Sequence, residues 1–192
     1  MASKKITDVA ALKAFAHPLR IRLDRALATA GRATATQLAD LVDEPVSLVS
    51  YHLRKLAEYG YIEEAPQQSG DGRERWWQPA ADVVNMHWKD FADDPEGVAA
   101  YVGTSHQIVS ARMTNLMAYV DNQAAWPTVW ATAAFGGGFL LKLTAAELQE
   151  MAEEAAAFQD RWLARSRAAE EAGDTEGREH VELQMYGYPF RP

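Results

Sequence analysis

The 192-residue chain contains no cysteine. That absence excludes disulfides, thiolate zinc sites and cysteine nucleophiles. Long apolar runs are missing as well. The opening stretch, Met1-Ala-Ser-Lys-Lys-Ile-Thr-Asp, has no apolar segment of signal-peptide length. The most apolar stretch, Phe135 to Leu141, is seven residues long and holds three glycines, against the ~20 residues that a spanning helix requires. A soluble, cytoplasmic protein is the expectation. An excess of positive charge is also lacking, since the net charge is −8. The deficit is uneven: residues 1–92 carry 12 Lys+Arg and 12 Asp+Glu, whereas residues 93–192 carry 7 and 15. A neutral first half can still present a basic face, although nucleic-acid-binding domains are usually basic overall.

Signatures of catalysis are equally scarce. Gly136-Gly137-Gly138 is a bare triplet without a dinucleotide fingerprint or a Walker lysine, and reads as a turn before Phe139. No serine sits in a nucleophile elbow. The carboxylates of 147–154 follow helix-surface spacing. The five histidines, His17, His52, His87, His106 and His180, are scattered and form no close pair on one helix. The expectation is a non-enzyme with no catalytic residue, no cofactor and no metal; His87 and His106 would be the least implausible donors to a site assembled across two copies.

What the chain does have is helical periodicity in a particular order. Leu12 to Ala30 reads as two helices joined at His17-Pro18, because proline disfavours helix at the preceding residue and suits the first turn of the next. Thr34 is a plausible cap for a helix over 35–42, with Leu38, Leu41 and Val42 on its apolar side. Asp43-Glu44-Pro45 makes an acidic turn. A helix from about Val46 to Tyr59 follows, with Val49, Leu53 and Leu56 spaced i, i+4, i+7 and Gly60 as its stop. Tyr61 to Ala65 reads as a strand, 66–72 as a turn-rich loop, and Arg73 to Gln78 as a second strand. Four helices and a β-hairpin in this order are the elements of a winged helix-turn-helix.

The residues are more specific than the order. "LKAFAHPLRIRLDRAL" at 12–27, "TATQLADLV" at 34–42, "SLVSYHLRKLAEYGYIEE" at 47–64 and "GRERWWQP" at 72–79 together resemble the ArsR-type bacterial regulators, in particular a cysteine-free version with a C-terminal extension. "LTAAEL" at 143–148 and the final "VELQMYGYPFR" extend the resemblance more weakly. The resemblance implies the winged-helix fold and DNA binding; it fixes neither target nor effector.

The residue pattern is compatible with that implication. A recognition helix needs one apolar face on its own domain and one polar face for the major groove. Val49, Leu53 and Leu56 supply the first; Ser47, Ser50, Tyr51, Arg54 and Lys55 supply the second. Arg73 and Arg75 alternate along the second hairpin strand and so share a face toward the DNA backbone or minor groove. Blander roles stand beside these. Arg54 and Lys55 could be a solvated helix face, His52 is better suited to packing than to base reading, and His17 to capping or packing at the helix junction. One of Trp76 and Trp77 belongs in the core. Arg20 and Arg22 suit phosphate contact or plain surface equally.

Asp93-Asp94-Pro95 marks a boundary, giving a DNA-binding domain over 1–92 and a dimerisation and effector region over 93–192. A helix from about Glu96 to Asn122 carries Val98, Tyr101, Val102, Ile108, Val109, Met113, Leu116, Met117 and Val120, a stripe suited to a partner helix in a homodimer. Thr144 to Glu147 is a capping box opening another helix. Phe139 to Leu143 and His180 to Tyr186 read as strands that would pair as a small sheet. Trp126, Trp130 and Trp162 are candidates for a cleft that takes a small organic effector, with structural packing the alternative. The fold class is thus mainly α with small β parts, a winged helix-turn-helix plus a helical C-terminal region with a two-stranded sheet. The function expected is a DNA-binding transcriptional regulator, a repressor reading a palindromic operator in double-stranded DNA as a homodimer. The alternative is a protein–protein interaction module on a winged-helix scaffold with no direct DNA readout.

Overall fold

A computed structural model describes residues 3–66 and 74–191. The protein is mainly helical with small sheets. Contacts gather it into two units, one up to Ala118 and one from Tyr119 onward.

The first unit opens with strand β1 (Ser3–Ile6) and helices α1 (Val9–Phe15) and α2 (Pro18–Ala30). Asp8 caps α1, accepting from Ala11 N at 2.9 Å. His17 caps α2, its Nδ1 accepting from Leu19 N at 3.2 Å, with Pro18 fixing the first helical turn. The capping expected of His17 is therefore formed. A two-residue strand β2 (Ala33–Thr34) leads into α3 (Ala35–Val42), where Thr34 and Gln37 form a full capping box. Thr34→Ala should leave Gln37 N–H without this cap and cost about 1 kcal/mol; denaturant titration with an unchanged midpoint would contradict it.

Asp43 ends α3 in the left-handed region (φ 51), a conformation that aspartate tolerates better than most side chains. This turn sets the angle to α4 (Val46–Glu58). Arg22 locks the turn to α2, reaching Glu44 at 3.1 Å and the Val42 carbonyl. That is the structural role for Arg22 rather than a side chain waiting in solvent.

After Gly60 (φ 67), β3 (Ile62–Glu64) pairs antiparallel with β4 (Trp76–Pro79), Glu64 opposite Trp77. The two expected strands pair, and Arg73 lies outside the described residues. The sheet is wider than expected, because β2 pairs with the other edge of β4 and makes a three-stranded sheet, β2-β4-β3. A separate parallel pair joins β1 to β5 (Val83–Met86). A 3-10 turn over Trp88–Asp90 precedes α5 (Pro95–Asn122).

One apolar core holds this unit. Leu12, Leu23, Leu27, Leu38, Val49, Leu53 and Leu56 are fully buried. Trp77 fills the sheet side, as one of the two tryptophans was expected to. Tyr61 stacks on Phe15 at 4.7 Å, and its hydroxyl donates to the Ala11 carbonyl at 2.8 Å, so the polar tip is satisfied inside the core. The start of α5 belongs to the same core through small residues. Gly97, Ala100 and Thr104 are its buried positions. A Cβ on Gly97 would lie 3.0 Å from the Phe91 carbonyl oxygen, so glycine permits the close approach. Thr104 donates to the Ala100 carbonyl at 2.8 Å.

The second unit contains a 3-10 turn (Gln123–Ala125), α6 (Thr128–Ala133) and α7 (Ala145–Glu171). Thr144 and Glu147 form the expected capping box, and hydrogen bonds from Thr144 hold the Glu147 carboxyl below its ordinary range. The sheet expected between 139–143 and 180–186 is not formed: the described residues of this unit contain no strand. Alternation over 180–186 marked a segment without helical periodicity, but a strand also needs a paired edge, and no strand pairing forms for either segment among the described residues.

Candidate nucleic-acid interface

The α4 helix divides as its spacing requires. Val49, His52, Leu53 and Leu56 face the core. Ser47, Tyr51 and Arg54 are exposed, and Ser50 and Lys55 are half-buried. Positions 47, 50, 51 and 54 fall on neighbouring turns of one face, so hydroxyls, a phenol and a guanidinium project together. Tyr51 stands edge-on to His52 at 5.1 Å, which steadies its ring. Lys55 is tied to Glu58 at 2.8 Å, and that hydrogen bond raises its pKa. Among the described residues Arg54 makes no ion pair, leaving its fork available for a base or phosphate.

Two exposed apolar residues were not anticipated. Val46 and Leu48 lie at the start of α4, outside the Val49–Leu53–Leu56 ridge. Their only sequence signal was that helix phase puts Leu48 away from the ridge. Apolar side chains at such a position can meet a thymine methyl.

Arg75 flanks β4 and is held on both sides. Glu64 accepts from its Nε at 3.0 Å, and its guanidinium lies 5.5 Å from the Trp77 ring centre. The ion pair is exposed and worth little by itself, but it aims the side chain. Arg54, Gly60, Ile62, Glu64, Arg75 and Trp77 share the lining of an open concavity of about 540 Å³. The structure thus brings Arg54 and Arg75 to one groove between α4 and the sheet.

Behind α4, His17 and His52 meet with ring centres 4.4 Å apart. His52 is 4% exposed, which agrees with packing rather than base reading. Burial lowers both histidine pKa values, and the Arg20 charge lowers them further; the partner His17 also lowers His52, while Glu44 opposes. Both rings are therefore favoured in neutral form. Arg20 is half-buried here, with Nε lacking a hydrogen-bond partner.

The remaining candidates lie in the second unit. Trp126 ends the 3-10 turn, Trp130 is half-buried on α6, and Trp162 is exposed on α7 beside Phe158 and Arg165. No ring contact among the described residues joins Trp126 or Trp130 to Trp162. No three His, Asp or Glu side chains among the described residues gather as a metal ion would need. No described helix is long and apolar enough to cross a membrane.

A search of curated proteins finds no match. Two solved structures resemble the chain at a TM-score of 0.31 each. One is described as a possible transcriptional regulator for arsenical resistance, at 27% identity over 60% of this chain and 93% of its own. The other is a doubly substituted ZitR from Lactococcus lactis in apo form, at 15% identity over 77% of this chain and 86% of its own. Overlap of that extent carries no functional argument. The family described as a helix-turn-helix domain matches residues 15–64, which span α2, β2, α3, α4 and β3, so this part of the chain is similar to a helix-turn-helix domain.

Proposed function

We propose that the chain is a transcriptional repressor that reads a palindromic operator as a homodimer, with α4 in the major groove and the β3–β4 wing on the flanking backbone. The observation that carries the reading is the division of α4: Val49, Leu53 and Leu56 buried, Ser47, Ser50, Tyr51, Arg54 and Lys55 on the opposite side. Arg75 on the wing, and Arg73 beyond the described residues, would add phosphate or minor-groove contacts. One such module buries too little surface for high specificity, which favours paired half-sites and hence a dimer. The exposed stripe on α5 supports the same assembly: Val102, Val109 and Leu116 recur every seven residues, with Met113 and Val120 four beyond the latter two. A dimer seated on promoter DNA excludes polymerase sterically, which favours repression. The region after α5 would then carry dimer contacts and any effector site, with Trp126, Trp130 and Trp162 still candidates for a small organic ligand.

Arg54→Ala should weaken operator binding by about 1–3 kcal/mol with folding unchanged, because the side chain is exposed and makes no ion pair among the described residues. Arg75→Ala should also flatten the salt dependence, since fewer counterions are displaced. A band-shift titration against DNA captured from the genome by the purified protein measures both. A stable complex with another protein, and no shift of any captured DNA, would favour the interaction-module reading instead.

A further inference from the structure

We infer that Val46 and Leu48 select thymine in the operator, each set against the 5-methyl group of a thymine on the floor of the major groove. The inference rests on the DNA-binding function proposed above and names the base that the first turn of α4 reads.

Three observations carry it. First, α4 packs on its own unit without these two residues. Val49, His52, Leu53 and Leu56 are its buried positions. Val46 and Leu48 are 43% and 39% exposed instead. Neither lines the concavity shared by Arg54 and Arg75, so they do not serve that groove either. Two side chains exposed by less than half also offer far less area than the ~800 Å² per partner of a stable protein interface.

Second, they sit in the part of the helix that enters DNA. Lone apolar residues on a surface call for no explanation. In a helix-turn-helix, however, the N-terminal residues of the recognition helix reach the base edges. Val46, Ser47 and Leu48 are the first three residues of α4, and all three are exposed. At ~100° per residue, Val46 and Leu48 fall on the two flanks of Ser47. Val46 neighbours Ser50 at i+4, and Leu48 neighbours Tyr51 at i+3. The apolar pair therefore borders the polar face on both sides and is continuous with it. The first turn carries no acidic residue that would repel a phosphate.

Third, the chemistry leaves one complement. Valine and leucine side chains neither donate nor accept a hydrogen bond. Guanine, cytosine and adenine present donors and acceptors in the major groove, and covering these with an apolar side chain removes their water without replacing it. The thymine methyl is the apolar group on that surface. Ser47, Tyr51 and Arg54 can meet polar base edges, whereas Val46 and Leu48 gain only where a methyl faces them. Burying one methyl is worth about fourfold in affinity.

Deoxyuridine differs from thymidine in base only by the missing methyl, so it isolates the contact. Duplexes captured from the genome by the purified full-length chain are resynthesised with each thymine replaced in turn by deoxyuridine, at matching positions of both half-sites, and titrated in band shifts. Affinity of the unaltered chain should fall at one or two thymines per half-site, about fourfold per methyl and so about fifteenfold for a matched pair. Val46→Ala and Leu48→Ala should each bind the thymine and deoxyuridine forms equally at one of these positions and keep the preference at the other. Binding retained on the deoxyuridine duplex also shows that each variant is folded. Captured DNA whose affinity is indifferent to every replacement would overturn the inference and leave DNA binding standing. So would a preference that both variants keep at every position. Failure to capture any duplex would overturn the DNA-binding function together with the inference.

Discussion

Leu116→Glu should dissociate the proposed homodimer and reduce affinity for its proposed operator at least a hundredfold while leaving the fold intact. Leu116 is 46% exposed on α5, and Met113, Met117 and Val120 around it are exposed too, so the chain leaves this face open to a partner. An exposed substitution of this kind usually changes folding stability by less than about 0.5 kcal/mol. At a two-fold interface the same residue enters twice. Two carboxylates would be brought together in a desolvated seam, a juxtaposition that costs several kcal/mol. Loss of one half-site then removes the second set of phosphate and base contacts, and affinity falls with it. Val109→Glu, two turns earlier on the stripe, should behave alike. Sedimentation at micromolar concentration, circular dichroism and a band shift separate the effects. A variant that remains dimeric with full affinity would exclude this face as the dimer seam.

Why α1 to α4 could be read so far ahead, and the segments after α5 could not, is a matter of where the partner atoms are. The helices α1 to α4 carry their own instructions: caps at Asp8, His17 and Thr34, a stop at Gly60, and the Val49–Leu53–Leu56 ridge. Each of these signals acts within a turn or two. The division of α4 into a buried and an exposed face follows directly, so Arg54 was legible as a surface cation. Its neighbour Arg75 was legible as a wing residue, but not its grip by Glu64 and Trp77, which depends on the register of β3 against β4.

Longer-range features left weaker traces. β1 pairs with β5 some 80 residues away, and "SKKI" has only one apolar residue to announce it. β2 is two residues long and is defined by its contact with β4 rather than by any pattern of its own. The stripe on α5 mixes two audiences: Gly97, Ala100 and Thr104 serve the chain's own core, and their small size hid that face from an apolar count. In 180–186 alternation was visible, yet a strand pattern does not say where the partner edge is.

Asp24→Asn should stabilise the first unit at neutral pH by about 1–3 kcal/mol, an effect that vanishes in acid. Asp24 lies on α2, and burial pushes its pKa up to about 6 from 3.8, with the adjacent Arg25 charge opposing the rise only in part. Its carboxylate also helps raise the Tyr61 pKa, consistent with a negative charge near that buried ring. A folded-state pKa above the unfolded value means that the folded protein binds the proton more tightly. The stabilising protonated form is therefore fully present below pH 3.8 and is lost as pH rises to about 6. Above that, the folded protein carries an ionised group it solvates poorly. A shift of roughly two units corresponds to ~3 kcal/mol as an upper bound, since the asparagine amide is itself desolvated in the same place. His17 and His52 act in the opposite sense: their lowered pKa values favour the fold above the unfolded value of 6.5 and lose that contribution as pH falls through the folded values. The wild-type profile alone therefore mixes the two, and the difference between variant and wild type isolates Asp24. Chemical denaturation at a series of pH values should give a difference near zero at pH 3.8 and below, growing to a plateau above about 6. A constant difference across that range, or a destabilised variant at neutral pH, would mean that the Asp24 carboxylate is held by a favourable contact rather than penalised by burial.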